Sequence, residues 1–83
     1  MADQQERDWI NLKPDGTARH AATAGVLKHF RYQHLPAHLQ EISRAFADLA
    51  VQMADKLPEG ADLTHGLRNL LAAKDDCVRA RIF

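Results

Sequence analysis

Five consecutive residues, Phe30-Arg31-Tyr32-Gln33-His34, put two aromatic rings, a guanidinium and an imidazole just ahead of Pro36. Aromatic faces stack on nucleobases and arginine pairs with phosphate, so this run suits a nucleotide ligand. Arg44 follows a short distance on and adds a second cation. The plainer alternative is that Phe30 belongs to the core and Tyr32 covers an apolar edge, because aromatic-plus-basic clusters are common.

Other chemistries find less support. The histidines are His20, His29, His34, His38 and His65. His34 and His38 stand four apart, a spacing that holds a metal on a continuous helix, but Pro36 between them interrupts that helix. There is no HExxH and no cysteine pair, so solvated or interface histidines and no metal are expected. Cys77 is the one cysteine, and the helical pattern turns it towards an apolar seam. Ser43 lacks a G-x-S-x-G setting, and the four glycines are isolated and form no phosphate loop. Asp75-Asp76 beside Lys74 reads as a solvated face with local charge pairing. No enzymatic activity and no cofactor are expected.

The elements that must position these residues follow from the apolar spacing. Lys13-Pro14-Asp15-Gly16-Thr17 is a turn signal behind Trp9, Ile10 and Leu12. Residues 1–24 form an N-terminal arm, either docked on a neighbour or frayed. A short helix is expected from Gly25, carrying Val26, Leu27 and Phe30 and stopping near His34 ahead of Pro36. Pro36 then opens a long helix. Leu39, Ile42, Phe46, Leu49, Met53 and Leu57 lie at steps of three and four, which makes one stripe, with Ala45 and Ala50 beside it. Leu57-Pro58-Glu59-Gly60 breaks that helix. A last helix starts near Asp62 as N-cap and carries Leu63, Leu67, Leu70, Leu71, Cys77, Val78 and Ile82, with Lys74 interrupting the stripe.

These elements predict an all-α fold: an antiparallel helical hairpin over residues 25–83 with a short N-terminal helix and arm. A chain of 83 residues is one small domain, which buries a modest share of its surface. With one cysteine it closes no disulfide, and each helix carries a wider apolar stripe than one partner covers. Association of identical chains is the expected remedy. The chain reads as soluble and cytoplasmic, with no leader and no membrane span.

Charge excludes one class of partner. Eleven Lys and Arg balance eleven Asp and Glu, whereas non-specific duplex binding needs a basic surface. No DNA or RNA partner is expected. The distribution is less even. Residues 36–60 carry two bases and four acids, and residues 61–83 carry four bases and three acids, with Lys74 and Arg79 near the end. A small anion needs only a few converging cations.

Three stretches resemble a known family. They are Phe30-Arg31-Tyr32-Gln33-His34-Leu35-Pro36-Ala37-His38-Leu39-Gln40, then Leu57-Pro58-Glu59-Gly60, then Gly66 to Ala80. Together they resemble small phage proteins that share the helical hairpin domain of the anti-CBASS and anti-Thoeris sponges, over roughly residues 28–81. The resemblance implies a non-enzymatic protein that sequesters cyclic oligonucleotide second messengers in the host cytoplasm. It further implies a compact homo-oligomer, a hexamer in several members, holding cyclic dinucleotides such as 3',3'-cGAMP between protomers. Some members hold cyclic trinucleotides at a separate site. Under it, Tyr32 stacks on a base and Arg44 pairs with a phosphate, with Phe30 and His34 beside them. Lys74 and Arg79 are the candidates for the second site. The competing expectations are a homo-oligomeric adaptor with no nucleotide ligand and, third, a small nucleic-acid binder.

Overall fold

The computed structural model describes residues 7–82, and these form three α-helices with no named strand. The N-terminal arm comes first. Pro14 and Asp15 occupy the centre of a turn closed by the Gly16 amide, which donates to the Lys13 carbonyl at 2.9 Å. Gly16 follows with φ of 88°, a left-handed conformation that costs an L-residue dearly. The two flanks then pair: Lys13 N–H donates to Thr17 at 2.8 Å, Arg19 N–H donates to Asn11 at 2.8 Å, and Leu12 and Ala18 form an isolated bridge. A turn followed by a left-handed glycine is a standard way to reverse such a ribbon. The ribbon docks on the chain's own helices. Trp9 is buried in the core, and the Arg19 guanidinium is fully buried, donating to the Trp9 carbonyl at 3.0 Å and to Asp55 Oδ1 at 2.6 Å. Arg7 grips the same carboxylate at 3.0 and 3.2 Å.

The first helix, α1, spans Ala21–Leu27 and tightens into a 3-10 turn over Lys28–Phe30. It begins earlier than Gly25 and ends earlier than His34. His20 supplies the reason for the early start, because its Nδ1 accepts from the Ala22 amide. The boundary drawn after residue 24 therefore falls inside α1. Tyr32 to Leu35 make a further turn, and Gln40 Nε2 donates to the Leu35 carbonyl at 2.8 Å.

The second helix, α2, spans Ala37–Lys56, and the third, α3, spans Ala61–Ile82. Pro36 stays extended with ψ of 151° while its carbonyl accepts from Leu39 and Gln40, so it opens α2 as its residue type favours. Leu57 is extended, as the residue before a proline prefers, and this ends α2. Helix α3 starts at Ala61, which puts Asp62 in its first turn and not at the cap. Glu59 in the connection ties the loop to α1, accepting from the His20 amide and from Thr23 Oγ1.

Val26, Leu27, Phe30, Leu63 and Leu67 are in the core as their spacing predicts, but on α2 the core runs along a face that the spacing of large residues did not select. The buried face of α2 is Leu39, Ser43, Ala47, Ala50, Val51 and Ala54. Of the expected stripe only Leu39 is buried. Ile42, Phe46 and Met53 are half-buried, and Leu49 and Leu57 are exposed. The physical reason is volume. A row of alanines makes a groove, and Leu27, Phe30, Leu63 and Leu67 share one packed cluster with Ala47, Ala50 and Ala54. On α3, burial stops after Leu67. Leu70, Leu71 and Val78 are half-buried, while Cys77 and Ile82 are exposed and do not face the seam. Helices α2 and α3 pack on one another, α1 packs on both, and the molecule is only 16 Å through its thinnest axis. Among the described residues no helix is long and apolar enough to cross a membrane.

Candidate functional site: a basic cleft between the 3-10 turn and the end of α3

The 3-10 turn, the segment after it and the second half of α3 enclose a cleft of about 630 Å³. Its position follows from the chain's breaks. Helix α1 ends in the 3-10 turn, so Lys28 and His29 leave the core while Phe30 stays in it. Pro36, itself extended, is the N-cap of α2, and the chain just ahead of it sets Arg31, His34 and Leu35 along the cleft's edge. Helix α3 outruns the core after Leu67, and its later turns present Lys74, Asp75, Val78 and Arg79.

Four cationic side chains therefore line one cleft: Lys28, Arg31, Lys74 and Arg79. The one carboxylate among the lining residues is Asp75, and the imidazoles of His29 and His34 complete the polar wall. A chain with no net charge thus concentrates positive charge here. Lys74 is held in place. Its side chain is 13% exposed, Nζ donates to the His29 carbonyl at 3.1 Å, and Asp75 Oδ1 lies 3.2 Å away. That explains why a lysine interrupts the apolar stripe of α3: the position faces the end of the 3-10 turn, whose carbonyls need donors. Arg79 pairs with Asp76 one turn before it on the exposed face of α3. Arg31 Nε donates to the Lys28 carbonyl at 3.3 Å.

Ser43 contributes to the cleft from α2. It is fully buried, and its Oγ has no hydrogen-bond partner. A buried hydroxyl left unpaired costs roughly 1–3 kcal/mol. A water or ligand oxygen reaching the cleft floor would give that hydroxyl a partner.

Of the six residues singled out from sequence, three come together here and three do not. His34, Lys74 and Arg79 line the cleft. Phe30 and Tyr32 are 0% and 2% exposed and belong to the core cluster, so neither ring is open to the cleft. Arg44 lies on the exposed side of α2 beside Asp48, one turn on, and is not among the cleft residues. Lys28 and His29 carried no signal in the sequence, because their place depends on where α1 tightens. Ser43 had been weighed only as a nucleophile. A period-3.6 reading that placed it on the inner face together with Ala47, Ala50 and Ala54 would have found it.

A second, shallower cleft of about 600 Å³ shares Lys28 and Arg31 with the first and adds Asn11 and Arg19 from the arm. A third, of about 310 Å³, lies over Glu59, Thr23 and Thr64. The carboxylate of Asp8 is held below its usual range by hydrogen bonds from Asn11, backbone first, and that of Asp15 by hydrogen bonds from Thr17. Both carboxylates belong to the arm and not to the cleft.

Comparison with known proteins places the chain in no group: no protein-family model matches it, and no curated protein or solved structure does either.

Proposed function

We propose that this chain is a non-enzymatic capture protein for phosphate-bearing cyclic nucleotides, working as a homo-oligomer of antiparallel helical hairpins. The observation that carries this reading is the convergence of Lys28, Arg31, Lys74 and Arg79 on one cleft in a chain of zero net charge. Phosphodiesters carry charge that such a cluster neutralises, and each charge-assisted hydrogen bond contributes about 1.5–3 kcal/mol. The ligand class, cyclic dinucleotides such as 3',3'-cGAMP or cyclic trinucleotides, rests on the resemblance of residues 28–81 to the phage sponges. So do the six-fold assembly, the host cytoplasm as the compartment and the blocking of CBASS-type effectors. In this reading His34 lies where a base or a phosphate edge would meet it. Tyr32 belongs to the core. Binding without cleavage fits a site whose charged groups are anchored by the backbone and by neighbouring carboxylates, Lys74 on His29 and Arg79 on Asp76.

A panel of cyclic di- and trinucleotides tests this by thermal shift. Ligand at a hundred times Kd stabilises by about 2.7 kcal/mol. For a domain of this size that raises Tm by roughly 10 °C or more. Arg79→Ala and Lys28→Ala change exposed side chains, so the ligand-free Tm should hold while the rise shrinks. No rise with any member of the panel overturns the reading. A second reading, an adaptor whose only role is association, is favoured by the half-exposed stripe on α2. It predicts a stable oligomer, a protein partner in pull-down and no response to nucleotides.

A further inference from the structure

The outer face of α2 carries Ile42, Phe46, Leu49 and Met53, at steps of four, three and four. Their directions fall within about 60° of one another, and the stripe lies about 100° round the helix from the alanine face that packs in the core. Leu49 is 42% exposed, Ile42 and Met53 are half-buried, and Phe46, also half-buried, packs in part against the chain's own core. The series reads the same in both directions. A helix with a palindromic apolar stripe is complementary to itself about a perpendicular two-fold axis, the symmetry of most homodimers.

We infer that α2 pairs antiparallel with α2 of a second copy, in the register that sets Phe46 against Leu49 and Ile42 against Met53. The two-fold axis then passes between Ala47 and Asp48. The flanks agree with this register. Two-fold pairing brings the same flank of each helix together, and that flank carries Ala45, Glu41 and Lys56, all exposed. Ala45 is small enough to let the helices approach. Glu41 of one copy falls two residues, about 3 Å along the axis, from Lys56 of the other, within reach of the lysine stem. That gives one oppositely charged pair on each side of the axis. A second copy on this stripe would give α2 apolar cover on both of its apolar faces.

This pairing rests on the homo-oligomer part of the reading above and on none of its nucleotide part. Its test is therefore made without ligand. Light scattering on the full chain should give a multiple of 9.3 kDa. Leu49→Asp should give the monomer mass with the helical circular dichroism retained, since the site is not in the chain's own core. If that variant loses its helical signal, Leu49→Ser is measured in its place. Glu41→Lys should weaken association several-fold, and adding Lys56→Glu should restore it. A wild-type chain that stays monomeric at micromolar concentration overturns the pairing. So does a Leu49 variant that folds and keeps the oligomer mass, or a double charge swap that restores nothing.

Discussion

Asp55 shows how much one residue can hold. Its carboxylate accepts from Arg7 and from Arg19, and the Arg19 side chain is fully buried. The pair joins the arm to α2 across 36 residues of sequence. Removing one partner of a buried pair leaves the other charge uncompensated, at about 3–5 kcal/mol. Asp55→Ala should therefore lower Tm steeply. Trp9 is the sole tryptophan and is buried, so its fluorescence should shift to the red as the arm comes loose. Unchanged emission in that variant would mean that the arm docks without Asp55. Tyr32→Ala belongs at this scale too. With the ring in the core, truncation should cost about 3–5 kcal/mol whatever the ligand, by analogy with other large aromatic truncations. Urea titration of the ligand-free chain measures it.

At the scale of elements, the arm and the cleft depend on chain breaks more than on propensity. Gly16 holds φ of 88° in the turn, and an alanine there has open space around its Cβ but strained backbone. Gly16→Ala should cost about 1–2 kcal/mol, read as a lower denaturation midpoint. The same turn is sensitive to acid. Thr17 hydrogen bonds lower the folded pKa of Asp15, so their contribution is complete above the ordinary carboxylate value and fades as pH falls through the lowered one. The window lies below about pH 4. The protection of the Thr17 amide, taken relative to its intrinsic exchange rate at each pH, should fall there before the helices melt. Helix α3 is the other case. Its first half is bound into the core through Leu63, Thr64 and Leu67, and its second half is mostly exposed. Exchange should be slowest before Leu71 and faster beyond it, except where a second copy or a ligand covers the later turns.

For the molecule as a whole, pairing of copies through α2, as proposed above, would link stability to association. A chain with one face of α2 in its own core and another only partly covered would gain stability from a second copy that covers that face. Tm should therefore rise with protein concentration, and Leu49→Asp should abolish that dependence while leaving a folded chain. A Tm that stays constant over a hundredfold range would separate folding from association. Ligand capture in the cleft, as proposed, would add to the same balance, since the cleft is bounded by α3 turns that the chain's own core does not hold.

The helices themselves were legible in the sequence. Pro36 and Leu57-Pro58-Glu59-Gly60 bracket α2, and Lys13 to Thr17 marks the turn, because proline and glycine act through local backbone sterics that need no tertiary partner. An apolar surplus in a short chain was legible too, and Leu49 and Leu57 of α2 are exposed. The choice of face was not. Periodicity weighs residues by their hydrophobicity, so it picked Ile42, Phe46, Leu49 and Met53, set Ala50 only beside that stripe and passed over Ala47 and Ala54, although all three alanines share the core cluster with Phe30 and Leu67. The fate of the aromatic cluster turned on the same point. Phe30 and Tyr32 look like a stacking platform in one dimension, and the groove on α2 takes both into the core. The cleft could be read only after that, because Lys28, His34 and Lys74 are brought together by the packing of α1 against α3, contacts that no spacing along the chain encodes.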